Sequence, residues 1–281
     1  MTKKKKYIVN LAAYACLTLL AVFLIIPFFF MLMRSIMPAA DITHWPIRLI
    51  PTQPTFQAYR TFLSKQGYFL NLWNTSKIVA VNMVSGPLSA SLCAFGFSKI
   101  GFRGKKYVFA AMMTTIMVPG AIIQVPLYVL YANLGWTETI LPLVIPGFFG
   151  GGAMTIFLIM QFMKNIPLEL DNAAQIDGAG VLRRYLMITV PLCMPILLYM
   201  VVGAFTATWS DFYGPLVYLK NANSYTLAIR IYYDNVATGA ISPNSNIRMA
   251  AGVFMTVPPA LIFFVYQRKL VDGLFIGAIK A

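Results

Sequence analysis

Six long apolar runs follow one another along the chain, separated by shorter segments rich in Lys, Arg, Asn, Thr and Pro. A helix needs about 20 residues to cross a hydrocarbon core of about 30 Å. Runs of this length predict transmembrane helices at residues 7–33, 72–97, 107–131, 140–163, 191–218 and 247–267. Prolines inside several runs, such as Pro119 and Pro126, predict kinks, because proline lacks the backbone N–H that continues a helix. Neighbouring helices can satisfy the backbone groups that are left free.

The composition supports a lipid environment. The 281 residues are 59% hydrophobic and only 11% charged, whereas soluble domains are about 25% charged. Three cysteines are too few for a disulfide framework, and the single histidine, His44, has no partner at metal-binding spacing. We therefore expect an all-α integral membrane protein with one transmembrane domain over residues 1–281 and no metal site.

The distribution of positive charge predicts the orientation of the chain. A net charge of +14 is typical either of a nucleic-acid-binding protein or of a membrane protein with basic cytoplasmic loops. The basic residues fall mainly at the ends of the apolar runs, and loop 98–106 carries four of them whereas loop 133–139 carries none. The positive-inside rule then predicts that both termini are cytoplasmic. Membrane lipid is an expected partner, and nucleic acid is not.

Two smaller features carry structural predictions. Residues 55–63 predict a short amphipathic helix at the outer surface. The run of three glycines at 150–152 lies in the fourth apolar run with no lysine after it, so it indicates close helix packing and not a phosphate-binding loop. No P-loop motif occurs anywhere in the sequence.

The segment between the fourth and fifth runs, residues 164–190, is the longest predicted cytoplasmic loop, and it has the signals of a helix. Asn165 can cap the helix and Pro167 suits its first positions. Glu169 and Asp171 lie in the first turn, where the helix dipole favours acids, and Gly178 suits the position after the last turn. These signals predict a short helix at residues 167–177.

Small and apolar side chains on this helix favour contact with another protein. Ala173 and Ala174 allow close approach to the backbone, and Leu170 and Ile176 lie beside them. This pattern suits a helix that sits in a partner's groove. The alternative is a helix lying on the lipid surface, which its acidic residues disfavour where the membrane is anionic.

Three sequence motifs resemble those of a known family. They are Ala173-Ala174-Gln175-Ile176-Asp177-Gly178-Ala179 followed by Ile188-Thr189-Val190-Pro191, then Trp209-Ser210-Asp211-Phe212-Tyr213-Gly214-Pro215-Leu216, then the tail Gly277-Ala278-Ile279-Lys280. The first is similar to the "EAA" cytoplasmic loop of ABC importer permeases. All three, in this order, resemble the carbohydrate-uptake branch of that family, and in particular its second, maltose-type permease subunit. One departure is that Asn172 replaces the glutamate that names the motif.

This resemblance implies an ABC type I importer permease fold, with six spans and both termini inside, in the bacterial inner membrane. It implies a subunit that is not an enzyme and binds no cofactor, because ATP and Mg would bind to a separate ATPase. The expected partners are a second permease in a heterodimer, two copies of the cytoplasmic ATPase and an extracytoplasmic sugar-binding protein. The residues expected to couple to the ATPase are Pro167, Glu169, Leu170, Asn172, Ala173, Ala174, Ile176, Asp177, Gly178, Ala179 and Pro191.

Five polar or aromatic residues in the spans are candidates for the substrate path: Trp209, Asp211, Tyr213, Asn82 and Gln124. The aromatic rings could stack on sugars or anchor helices at the interface, and the amides could line a polar path or cross-link helices. Asp211 could contact the pore or lie in water at the end of its span. Three alternative functions stay open: an ABC permease for a non-sugar solute, a secondary transporter and an intramembrane enzyme.

Overall fold

The computed structural model of the chain describes residues 3–42, 44–46, 48–64, 67–235 and 245–278, and within these ranges it describes the side chains of all but residues 3–6, 8, 235 and 268–278. Ile279 and Lys280 of the tail motif therefore lie outside the described residues. Every regular element in the described ranges is helical. The longer α-helices are Lys3–Ser35, Tyr68–Lys99, Lys105–Thr114, Gly120–Asn133, Ala153–Lys164, Met194–Trp209 and Ser245–Ala278.

Short helices connect the long ones. The short α-helices are Ala39–Ile42, Gln57–Ser64, Leu141–Val144, Leu168–Ile176, Val181–Arg184, Val190–Leu192, Tyr213–Tyr218 and Leu227–Asn235. Thr115–Met117 and Ile145–Phe149 are 3-10 helices, and Tyr185–Thr189 is a π-helix.

In the described residues, four helical segments are long and apolar enough to cross a membrane. They are Val9–Ser35, Tyr68–Lys99, Leu141–Lys164 and Ser245–Gln267. Two bent pairs, Lys105–Met117 with Gly120–Asn133 and Val181–Leu192 with Met194–Trp209, raise the number to six if each pair is one span. All six predicted positions therefore coincide with apolar helix, although the number of spans that cross the membrane stays a prediction.

The two bent pairs are broken far more sharply than the kinks that the prolines predict. The third run bends by 101° between Met117 and Gly120, where Pro119 precedes the second helix. The fifth run bends by 79° at Cys193, just after Pro191. Proline lacks the backbone N–H that would continue the helical ladder, so both breaks lie where a proline interrupts it.

The fifth span does not continue to residue 218 as predicted. Its helix, Met194–Trp209, ends at Trp209, and Tyr213–Tyr218 is a separate helix. Asp211 lies in the break and its Oδ1 accepts a hydrogen bond from Gly214 N at 3.1 Å. A Cβ at Gly214 would lie 2.6 Å from Asp211 Oδ2, so a larger residue there would displace the carboxylate from this turn. The carboxylate thus satisfies a backbone N–H at the start of a new helix.

The chain divides into two compact units, and the prediction of one domain stays untested. One unit contains Gly67–Arg230 and Pro258–Ala281. Its core lies where helix Tyr68–Lys99 packs against Ala153–Lys164 and Met194–Trp209. The side chains that fill this core include Ala90, Ala94, Phe95, Ile159, Met163, Tyr185, Cys193 and Ile196.

The three glycines at 150–152 interrupt the fourth run and do not continue its helix. All three have positive φ, and helix Ala153–Lys164 begins after them. A Cβ at Gly151 would lie 2.8 Å from Gly86 O and 3.0 Å from Gly86 Cα. The glycine run therefore permits the close backbone approach that the sequence indicated, together with a left-handed turn.

The other unit contains Met1–Gln66 and Ile231–Val257. The amphipathic helix predicted at 55–63 lies at Gln57–Ser64, and its Phe62 is fully buried with its ring 5.6 Å from that of Phe254. Nearby, Asp41 accepts hydrogen bonds from the backbone and side chain of Thr52 and pairs with Arg48 at 2.6 Å. The hydrogen bonds from Thr52, more than the Arg48 charge, lower the pKa of Asp41.

Candidate functional site

The helix predicted in the long loop is present at Leu168–Ile176, and we call it the loop helix. Pro167 and Asp177 flank it. The expected cap at Asn165 is wrong, because Asn165 ends the preceding helix, where its N donates to Phe162 O. Ile166 follows Asn165, and Pro167, with φ −53° and ψ 136°, is then the residue directly before the loop helix.

Gly178 closes the loop helix. Its φ is +79°, its N donates to Gln175 O at 3.1 Å, and Ala179 N donates to Ala174 O at 2.9 Å. These bonds satisfy the carbonyls that a helix leaves unpaired at its C-terminus, and only glycine adopts this backbone conformation without strain. The turn is thus fixed by the residue type at 178, and it sets the direction in which the chain leaves the helix.

Most of the loop helix is exposed, and one face of it, which we call the exposed stripe, lies opposite the buried Asp171. Glu169, Asn172, Ala173 and Ile176 are spaced by three or four residues, so they share a face, and all four are exposed. Ile176 has 87% of its surface exposed, which is unusual for an apolar side chain with no partner to cover it. The stripe has a small residue at its centre and an apolar residue at its end, which suits insertion into a groove.

Asp171 lies on the opposite face and anchors the loop helix to the next helix. Arg184 Nη1 donates to Asp171 Oδ2 at 2.8 Å, and both side chains are largely buried. Among the described residues, neither Asp171 Oδ1 nor Arg184 Nε finds a hydrogen-bond partner. The ion pair therefore joins the loop helix to Val181–Arg184 across the Gly178 turn. Arg184 was not among the residues predicted for the site, although an acid and a base on either side of a short turn are a sequence signal for such a pair.

The candidate path residues fall into separate groups. Tyr213 OH donates to Gln124 Oε1 at 2.5 Å, which joins two of them. Asn82 Nδ2 donates to Leu143 O at 3.0 Å and to Thr208 Oγ1 at 3.3 Å, so this amide cross-links three helices. Its buried Oδ1 has no partner among the described residues.

Trp209 is mostly buried and packs against a neighbouring aromatic ring. Only 7% of its surface is exposed, and its ring stacks on Phe205 with centroids 5.8 Å apart. Asp211, as described above, holds the turn at Gly214. In this conformation both residues have structural contacts, and a role for either in substrate contact stays a prediction.

A cavity of about 750 Å³ opens beside helix Met194–Trp209. Small residues give it room and hydroxyl groups give it polarity. Its lining includes Gly86, Thr155, Tyr199, Gly203, Ala204, Thr206, Ala207 and Ser210. None of the five predicted path residues lines this cavity. The hydroxyl residues could not be identified from the sequence, because Ser and Thr in a span often only bond the preceding turn of their own helix. Thr206 does so, donating to Val202 O.

Two asparagines fix the segment that follows Tyr213–Tyr218. Asn71 Nδ2 donates to Ala222 O and Tyr225 O, both at 2.9 Å. Asn74 Nδ2 donates to Asn223 O at 2.8 Å. Because these carbonyls belong to a loop without a ladder of its own, the amides supply the partners that its backbone requires.

Several apolar helices, an exposed loop helix between the fourth and fifth runs, and a cavity beside a bent helix pair are features typical of a membrane transport subunit. The chain belongs to the family of binding-protein-dependent transport system inner membrane components, whose profile matches residues 86–275. Membership makes it an inner-membrane transporter subunit, not an enzyme, and decides against the secondary transporter.

Two relatives match over nearly the full length of the chain, and a third over about three quarters of it. The galactooligosaccharides transport system permease protein GanQ of Bacillus subtilis (strain 168) is 28% identical over 99% of this chain and 98% of its own. A putative ABC transporter permease protein of Caldicellulosiruptor sp. (strain Rt8B.4) is 30% identical over 99% and 97%. A maltose/maltodextrin transport system permease protein, MalG of Photorhabdus laumondii, is 29% identical over 74% and 71%.

A solved structure shares the fold. It is a chain of a bacterial ABC transporter involved in the import of the acidic polysaccharide alginate, with a TM-score of 0.85 and 19% identity. The match covers 95% of this chain and 98% of that one. The fold of an ABC importer permease is therefore confirmed, whereas the orientation of the termini stays a prediction.

Proposed function

We propose that the chain is the permease subunit of an ATP-binding-cassette importer for sugars or oligosaccharides. The observation that carries the sugar assignment is the similarity, over about three quarters of the chain or more, to permeases named for sugars. Besides the galactooligosaccharide and maltose proteins, these include a lactose permease protein of Rhizobium radiobacter, 26% identical over 100% of both chains. Because specificity can also reside in a partner, an ABC permease for a non-sugar solute is the alternative.

The proposed assembly contains three other kinds of subunit. A second permease forms a heterodimer with this chain, two copies of a cytoplasmic ATPase bind ATP and Mg, and an extracytoplasmic binding protein delivers the sugar. A solved relative of the same fold, at 15% identity and a TM-score of 0.66, comes from a transporter in complex with a periplasmic protein that carries an alginate pentasaccharide. The described part of this chain has no cluster of metal-ligating residues.

In this proposal the loop helix transmits the movement of the ATPase. The exposed stripe of Glu169, Asn172, Ala173 and Ile176 sits in a groove of the ATPase, and Pro167 and Gly178 set its two ends. The Asp171–Arg184 pair connects the helix to the segment that leads through Pro191 into the fifth span. ATP-driven closure then shifts the balance between inward-open and outward-open states, because the ATPase contacts the two states differently.

We expect Ile176→Asp to abolish uptake while leaving the chain inserted in the membrane. Burying an unpaired carboxylate in an apolar groove costs several kcal/mol, and Ile176 is too exposed to matter for folding of the isolated chain. The measurement is uptake of labelled sugar in cells, together with the amount of ATPase that copurifies with the tagged permease. Ile176→Val, which keeps the apolar surface, is the matched control and should transport normally. Normal uptake in Ile176→Asp would remove the loop helix from the mechanism.

The proposed substrate path runs along the hydroxyl-lined cavity and the polar groups near it. Thr206 and Ser210 offer hydroxyls in the cavity, and Asn82 Oδ1 is a buried acceptor without a described partner. Tyr213 and Gln124 form one hydrogen-bonded pair. We retain Trp209 and Asp211 as path candidates for a conformation in which their present contacts are released.

The cognate binding protein tests the sugar assignment. Calorimetric titration of that protein with a panel of mono- and oligosaccharides, amino acids and peptides should find heat of binding only with carbohydrate. Deletion of this permease should then abolish uptake of the same carbohydrate. Binding of an amino acid or peptide instead would move the chain to the alternative function while leaving its role as a permease intact.

A further inference from the structure

A second cavity, of about 420 Å³, lies where three helices end on the side that is predicted to be cytoplasmic. Phe97 and Ser98 come from the end of helix Tyr68–Lys99, and Lys105, Lys106 and Phe109 from the start of Lys105–Thr114. Met160 and Lys164 come from the end of Ala153–Lys164. The cavity is distinct from the hydroxyl-lined cavity and shares no lining residue with it.

The charge of this cavity is entirely positive. Three of its lining residues are Lys105, Lys106 and Lys164, and no Asp or Glu is among the described residues that line it. Lys105 Nζ donates to Ile100 O at 3.0 Å, a neutral partner that leaves its charge uncompensated. The N-terminus of helix Lys105–Thr114 adds a positive dipole end, and no side chain caps it. The cavity therefore favours an anion.

The remaining wall of the cavity is apolar. Phe97 and Phe109 meet edge to face with ring centroids 5.6 Å apart, and Met160 lies beside them. A free hydrated anion gains nothing from such a wall. A molecule with an anionic head and a hydrocarbon chain would use both halves, because the chain buries apolar surface along the rings while the head meets the lysines.

We propose that this cavity binds the head group of an anionic phospholipid, with one acyl chain lying along Phe97 and Phe109. Its place at the ends of three apolar helices puts it where those helices are predicted to meet the lipid phosphates. Lys106 and Lys164 are exposed, so they reach the phosphate without breaking a described contact. A bound lipid would hold the start of the third run against the end of the fourth, directly before the loop helix.

Native mass spectrometry of the purified complete transporter tests this proposal. The complex is incubated with phosphatidylglycerol or with phosphatidylcholine, and retained lipid is counted. Each lysine near an anionic surface contributes about a fivefold gain in affinity, so Lys106→Gln with Lys164→Gln should lower phosphatidylglycerol retention about 25-fold. Arg103→Gln removes a charge from the same loop outside the cavity, and retention there should be unchanged. Replacing both lysines with arginine should preserve binding.

Other occupants give different results. Displacement of phosphatidylglycerol by millimolar inorganic phosphate would mean that phosphate alone is the ligand and would overturn the lipid assignment. Equal retention of phosphatidylcholine, or equal loss in Arg103→Gln, would reduce the site to unspecific attraction. Loss of the ATPase from the double glutamine variant, with no lipid bound to the wild type, would show that an acidic protein surface occupies the cavity. The proposed role of the loop helix in sugar uptake is tested separately, by the Ile176 variants.

Discussion

Replacing Asp171 with alanine is expected to uncouple the transporter and to destabilise the loop. The change leaves the guanidinium of Arg184 largely buried without its carboxylate. Removal of one partner from a buried ion pair costs about 3–5 kcal/mol, enough to release the loop helix from helix Val181–Arg184. Uptake should fall at least tenfold, and limited proteolysis should cut the loop faster, while the permease remains in the membrane.

A double substitution separates the ion pair from other effects of residue 171. Asp171→Ala combined with Arg184→Met removes both charges, and an apolar pair of similar volume is often as stable as a buried ion pair. The double variant should therefore recover protease resistance that Asp171→Ala loses. If the two single changes and the double change are equally disruptive, the residues act independently and the ion pair does not hold the loop.

Gly151→Ala is expected to cause the largest loss of folding stability in the spans. The added Cβ would lie 2.8 Å from Gly86 O, and the φ of +60° is left-handed. The strained φ costs about 1–2 kcal/mol and overpacking adds about 1–3 kcal/mol. The temperature at which the detergent-solubilised permease unfolds should drop markedly, and little protein should reach the membrane.

The matched control for this change is Gly104→Ala. Gly104 also has positive φ, at +81°, but nothing lies within 4 Å of a Cβ built on it. This variant has only the backbone strain of about 1–2 kcal/mol, so it should unfold at a temperature between those of the wild type and Gly151→Ala. Equal destabilisation at residues 104 and 151 would show that backbone strain alone matters and that Gly151 does not mediate close packing with Gly86.

The apolar runs were sufficient to predict where the helices lie, since a run of about 20 apolar residues is determined by the thickness of the bilayer. They could not predict the bends. Pro119 indicates a kink, but the angle of 101° depends on which neighbours pack against each half. The break before Tyr213–Tyr218 includes a hydrogen bond from Gly214 N to Asp211 Oδ1, a local contact that composition does not reveal.

In the loop helix, too, the sequence predicts the position of the helix but not the contacts that hold it. Its proline, acids and glycine predict a helix and where it ends, because each residue type has a direct effect on the backbone. The role of Asp171 could not be predicted from a helical wheel, since its partner Arg184 comes from another helix across a turn. The span residues were harder still: Trp209 lies in a helix that is apolar all round, so periodicity cannot tell its buried face from an exposed one.

The structure shows where Asn172, which replaces the motif glutamate, lies on the loop helix. Asn172 lies on the exposed stripe, whereas Asp171 faces inward and is paired with Arg184. The acid at 171 is therefore not available to the ATPase in place of the missing glutamate. In the proposed contact, Glu169 would be the acid of the stripe, beside the amide of Asn172 and the exposed Ile176.

The most direct test of the central claim is a cross-link from the exposed end of the loop helix. Cys16, Cys93 and Cys193 are first replaced with alanine, and a single cysteine is placed at Ile176 or, as an outer control, at Leu134. Ile176→Cys should form a cross-link to the ATPase in inverted membrane vesicles and resist membrane-impermeant thiol reagents added to intact cells, whereas Leu134→Cys should react from outside. Labelling of Ile176→Cys from the cell exterior, or cross-linking to lipid alone during turnover, would contradict the account.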